Sequence, residues 1–177
     1  MQIILIAGLA VYFSVKWMLY FAIEKHTNNI RTWILDGGVV LFFCLQLFVG
    51  FGVSKHVPLW ASCAGVALFL AGVLIASYSR LLLAENYRAA AVMEAPNRLI
   101  VRGVYRFVRN PIYTGTLFVG CGIELVFFSP FFFLNIFSVL AFIYQVRKEE
   151  KVLQNAFPGE WAMFTKKTPY RLLPFVY

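Results

Sequence analysis

Charge is scarce in this sequence: Asp, Glu, Lys and Arg supply 14% of its 177 residues, where a soluble domain carries about 25%. Acid is scarcest, with 8 Asp and Glu against 16 Lys and Arg, and there are only two histidines. Residues of the AVILMFWYC set make up 61%, and the mean hydropathy is +0.75. A soluble fold of this size has no interior large enough to hide that much apolar surface, so the expected solvent is lipid. A bilayer core takes about 20 apolar residues per crossing, which leaves room for five crossings. No CxxC and no Cys/His cluster occurs, and Cys44, Cys63 and Cys121 sit alone in apolar runs. They read as small packing residues, which excludes a disulfide framework and a metal site. No GxGxxG turn is present, so the usual soluble dinucleotide fingerprint is missing. The basic excess, in a membrane chain, points to topogenic loops and anionic lipid rather than to nucleic acid.

The apolar runs are Ile3–Ile23, interrupted by Lys16, then Trp33–Val53, Leu59–Tyr78 and Ile112–Tyr144. At ~1.5 Å per helical residue the last would be about 50 Å long, too much for one crossing. Ser129-Pro130 lies at its middle, where proline's missing donor and ring clash break a helix. The expected fold is therefore all-α integral membrane, with five transmembrane helices. The last two form a helical hairpin, and a short amphipathic helix follows in the tail. The first run lacks a positively charged leader and reads as a retained helix.

Polar connectors separate the runs: Glu24–Asn29, Ser54–Pro58, and the long stretch Ser79–Asn110 with six arginines. With the N-terminus outside, the inner segments hold Lys25 and Arg31, those six arginines, and six basic residues of the tail. That is fourteen inside and only Lys55 outside. By the positive-inside rule the long loop and the C-terminal tail are both cytoplasmic.

The polar residues that could do chemistry fall in those two segments. Tyr105 and Arg109 are four apart and would share a helix face. Pro111 suits the first turn of the fourth span, whose N-terminus offers backbone donors and the positive dipole end. Beyond the hairpin come Arg147 and the adjacent carboxylates Glu149 and Glu150. Deep in the fourth span lies Glu124, an intramembrane acid that is by default a functional-site candidate, here either a substrate contact or a bundle-facing structural acid. A basic and aromatic juxtamembrane belt would account for the loop alone, and salt bridging for the acids.

The ordered set is more specific than its parts. Gly103-x-Tyr105-Arg106-x-x-Arg109-Asn110-Pro111-x-Tyr113-x-Gly115, followed after 33 residues by Glu149-Glu150, resembles the isoprenylcysteine carboxyl methyltransferase and phospholipid N-methyltransferase superfamily. The tail Phe157-x-Gly159-x-Trp161-x-x-Phe164, with Thr168-Pro169-x-Arg171-x-x-Pro174, is similar to that superfamily's tail. The likeness covers residues 79–177, leaving 1–78 as a variable three-span part of one transmembrane domain. The resemblance implies S-adenosyl-L-methionine as cofactor, in a pocket of the last two helices and the tail. Gly103, Tyr105, Arg109, Asn110, Pro111, Tyr113 and Gly115 would form one wall, Glu149 and Glu150 the other. The acceptor would be lipophilic or lipid-linked, a prenylated carboxylate or a lipid amine. A carboxylate would want an orienting cation, for which Arg147 is the catalytic candidate, a snorkelling anchor at the end of the fifth span being its equal alternative. The superfamily's usual histidine is Asn110 here. Asn hydrogen-bonds but does not titrate, so position 110 is expected to bind rather than carry protons.

Two rivals stand beside this reading. Thr168–Pro174 also resembles the tails of NADPH-dependent sterol and steroid reductases, and Glu124 would suit a non-catalytic membrane scaffold or a small transporter.

Overall fold

The computed structural model describes residues 2–19, 30–53, 57–83, 99–128, 132, 135–174 and 176. Among these the chain is all-helical: α1 Gln2–Leu19, α2 Ile30–Val53, α3 Leu59–Leu82, a 3-10 turn at Gly103–Arg106, α4 Pro111–Phe127, α5 Asn135–Ala156 and α6 Pro158–Lys167. The connector Glu24–Asn29, positions 54–56, the middle of the long basic loop at 84–98 and the Ser129-Pro130 break lie outside the described residues.

The helices alternate in direction. At one end Tyr12 of α1 meets Arg80 of α3 and Thr116 of α4, and Glu150 of α5 meets Asn110. At the other end Gln46 of α2 bonds Asn135 of α5, Ser62 of α3 bonds the Val126 carbonyl, and the Phe51 and Phe127 rings pack edge to face. The axis of the bundle is α3 against α4, joined through small residues. A Cβ on Gly72 would lie 2.6 Å from the Gly115 carbonyl oxygen, and one on Gly122 would lie 2.6 Å from the Phe69 backbone nitrogen. Gly72 and Ala76 thus serve packing within the chain, in the small-residue manner of membrane helices.

Helix ends follow their residues. Pro111 and Pro158 open α4 and α6, where a missing N–H costs nothing. α6 carries Glu160 in its first turn and Lys166 and Lys167 in its last, matching the helix dipole. α4 stops at Phe127, and Phe128 turns left-handed at φ 48°.

Several expectations are corrected. α3 does not end at Tyr78 but runs on to Leu82, so Ser79 and Arg80 are buried in the bundle instead of opening a loop. Arg80 is tolerated there because it donates to the Tyr12 hydroxyl at 2.7 Å and lies 4.3 Å from that ring's centre. The second arm of the hairpin continues past Tyr144 to Ala156, so Arg147, Glu149 and Glu150 stand on a helix and not on a tail. Tyr105 and Arg109 do not share a helix face, because helical geometry lasts only from Gly103 to Arg106. Cys44 and Cys63 are free and exposed on the outer faces of their helices, and Cys121 is free and half-buried.

Among the described residues, α3 alone is long and apolar enough to cross a membrane, at 24 residues and hydropathy 2.2. Ile6–Met18, Gly38–Gly52 and Pro111–Phe127 are apolar but shorter. The exterior is apolar as well, with Leu41, Phe48, Leu74, Phe137 and Tyr144 all exposed.

Candidate active site

Residues 99–114, the C-terminal half of α5 and the tail after α6 meet at one end of the bundle. Gly103 enters with φ +62°, a conformation that favours glycine. Tyr105 turns inward, 5% exposed, toward the Ser79 carbonyl at 3.5 Å. The tail then runs alongside this segment. The Arg109 and Asn110 backbone N–H groups donate to the Tyr170 and Arg171 carbonyls at 2.9 and 3.0 Å. The Thr168 hydroxyl donates to the Tyr105 and Arg106 carbonyls, and the Thr114 hydroxyl to the Leu172 carbonyl.

Glu150 is the centre of the arrangement. Its Oε1 accepts from Asn110 Nδ2 at 3.1 Å and lies 3.0 Å from Arg109 Nε. Its Oε2 accepts from Arg171 Nε at 2.8 Å. The carboxylate is buried at 7% residue exposure, where a charge requires such partners. Arg109 also approaches the Trp161 ring, 6.0 Å from its centre. Around Glu150 opens a cavity of about 470 Å³, within the range of ligand pockets. Its lining includes Arg109, Arg147, Lys151, Trp161 and Arg171.

The partner acid faces elsewhere. Glu149 Oε1 accepts from the Tyr113 hydroxyl at 2.5 Å and from Gln145 Nε2 at 2.8 Å. Tyr113 in turn packs on Phe142, ring centres 5.0 Å apart. Burial raises the Glu149 carboxyl above the ordinary carboxylate range. The two hydrogen bonds oppose that shift, and the neighbouring Glu150 charge adds to it.

The structure therefore brings Arg109, Arg147 and Glu150 together in the cavity lining, bonds Asn110 to Glu150 from outside that lining, and joins Tyr113 to Glu149. Pro111 starts the helix, and Gly115 lies against Gly72 and Ala76 of α3, away from the cavity lining. Glu124 is buried in α4 at 3% exposure and does not line this cavity either. In the sequence, Trp161, Thr168 and Arg171 stand out only as parts of a tail pattern. Their roles come from contacts spanning 21 to 63 residues. The one local hint was a lone arginine between Pro169 and Pro174.

Residues 60–160 match the phospholipid methyltransferase family. That is more than half of the chain, and the chain belongs to this family. Two curated relatives carry other names. A stretch of 86 residues is 31% identical to a Delta(14)-sterol reductase of Mus musculus, covering 45% of this chain and 20% of that protein. Another of 98 residues is 25% identical to a probable 7-dehydrocholesterol reductase of Acanthamoeba polyphaga mimivirus, covering 52% of this chain and 21% of that protein. The chain thus aligns with about a fifth of each relative.

Proposed function

We propose that this protein is a membrane methyltransferase that uses S-adenosyl-L-methionine to methylate a lipophilic or lipid-linked acceptor at the cytoplasmic face. The observation that carries the reading is the buried Glu150 carboxylate, which lines the cavity and accepts from Asn110, in a chain of the phospholipid methyltransferase family. The residues present fit the donor. An amino-acid end needs an acid and a cation, and a flat base needs an aromatic face. Glu150, Arg109, Arg171 and Trp161 offer these around one cavity. Gly103, Tyr105 and Pro111 belong to the segment that carries Arg109 and Asn110, and Tyr113 with Glu149 fixes the joint between α4 and α5.

When bound, S-adenosylmethionine supplies an already activated methyl group on sulfur, so the protein's task is alignment and exclusion of water. Glu150 holds the donor's ammonium end. Arg147, on the cavity-lining side of α5, orients the acceptor's head, which arrives laterally from the bilayer. The five-crossing topology, with the N-terminus outside, is supported by the alternating helix directions, the apolar exterior and the fourteen-to-one basic count. The depth of Glu124 suits an acceptor contact inside the bilayer.

A second reading, an NADPH-dependent sterol reductase-like enzyme, is favoured by the two reductase relatives. Sealed vesicles of both orientations, given methyl-labelled donor and a lipid extract, distinguish these readings. Label enters lipid only in inverted vesicles if the site is cytoplasmic and transfers methyl groups. No incorporation in either orientation, with NADPH consumed, selects the reductase.

A further inference from the structure

Asn110, Glu150 and Arg171 form a closed ring. Asn110 Nδ2 donates to Glu150 Oε1 at 3.1 Å and to the Arg171 carbonyl at 3.2 Å, while Arg171 Nε donates to Glu150 Oε2 at 2.8 Å. Arg171 thus touches both of the other members, one through its main chain and one through its side chain. Arg109 adds a second cation on Oε1. A glutamate side chain has several rotatable bonds, and a carboxylate left to find its direction during binding loses affinity to that ordering. Gripped at both oxygens, Glu150 keeps one direction at the cavity it lines.

We propose that Arg171 is a positioning residue that presets Glu150 for the donor, so that the donor site is complete only with the C-terminal segment docked. The inference rests on the methyltransferase reading above. Its reach beyond simple attachment follows from redundancy. The segment 168–172 is already tied down by the bonds of Arg109 N, Asn110 N, Thr114 and Thr168. Attachment therefore does not need the guanidinium of Arg171. That side chain is 37% exposed while the carboxylate it holds is 9% exposed, so a surface arm reaches in to a buried acid.

The test is calorimetric titration of full-length protein in detergent with S-adenosylhomocysteine. Arg171→Ala is expected to weaken binding about tenfold, the loss of one charge-assisted hydrogen bond, with the unfolding midpoint little changed. Arg171→Lys should recover part of the loss, because an ammonium reaches the carboxylate without the planar fork. In a Glu150→Gln background, Arg171→Ala should cost nothing further, since its effect passes through the carboxylate. Wild-type affinity in Arg171→Ala overturns the proposal, as does an equal loss in both backgrounds. Should Arg171→Ala fail to fold, Arg171→Lys decides alone, and its unchanged affinity overturns the proposal. Wild-type protein that binds no S-adenosylhomocysteine overturns both the methyltransferase reading and this inference. Wild-type binding matched by the variant overturns this inference and leaves the reading standing.

Discussion

Asn110 donates its side-chain amide to Glu150 across 40 positions of sequence, at 3.1 Å. This bond joins the basic segment before α4 to the acidic turn of α5, and it holds Glu150, which lines the cavity. An amide holds the same hydrogen-bonding character across the physiological pH range, so no titration at position 110 disturbs the bond.

Glu150 should govern donor affinity. A hydrogen bond to a charged group contributes about 1.5–3 kcal/mol, so Glu150→Gln is expected to weaken S-adenosylmethionine binding about ten- to a hundredfold. The same change leaves Arg109 and Arg171 without their shared charge, so the unfolding midpoint should also fall. Unchanged affinity in a folded variant removes Glu150 from the donor site.

Arg147 should separate acceptor handling from donor binding. Arg147→Ala is expected to abolish turnover while S-adenosylhomocysteine affinity stays within about threefold, since Glu150 and Arg171 are untouched. Arg147→Lys should restore turnover only in part. A collapse of donor affinity places Arg147 in the donor pocket. Wild-type turnover in both variants makes it a membrane-surface anchor.

Glu149 sets a pH dependence of known sign. Its carboxyl is raised in the folded state, chiefly by burial. The folded protein therefore holds this proton more tightly than the unfolded chain, and stability falls as pH climbs from the ordinary carboxylate range through the folded value. Glu149→Gln keeps an acceptor for the Tyr113 hydroxyl but removes the titration. The difference between wild-type and variant midpoints should shift in the variant's favour as pH rises through this window. A pH-independent difference contradicts the raised carboxyl.

The α3–α4 seam should tolerate no added bulk. Gly72→Val brings a Cβ within 2.6 Å of the Gly115 carbonyl and the Val119 nitrogen, contacts that only backbone movement relieves. Overpacking of this kind costs about 1–3 kcal/mol, and thermal unfolding in detergent should show a clear fall in midpoint. Gly52→Ala, with no neighbour within 4 Å of the new Cβ, serves as the control and should leave the midpoint near wild type.

How far the sequence could be read depended on whether a signal was local. The apolar runs located the helices, and the spaced motif identified Asn110, Tyr113, Glu149 and Glu150, which do meet across the α4–α5 joint. Hydropathy misplaced the end of α3, because Arg80 reads as loop until Tyr12 is seen to receive it. It also cut α5 short at Tyr144, since a helix leaving an apolar layer keeps its backbone bonds while its side chains turn polar. Gly115 belonged to a motif, yet its neighbours are the backbone of α3. The grip of Arg171 on Glu150 depends on the path of the tail, which no local pattern encodes.

Calorimetric titration of the detergent-solubilised protein with S-adenosylhomocysteine, and separately with NADPH, tests the central claim most directly. The account predicts saturable one-to-one binding of S-adenosylhomocysteine, weakened about ten- to a hundredfold by Glu150→Gln, and no binding of NADPH. Saturable NADPH binding with no S-adenosylhomocysteine signal would contradict it.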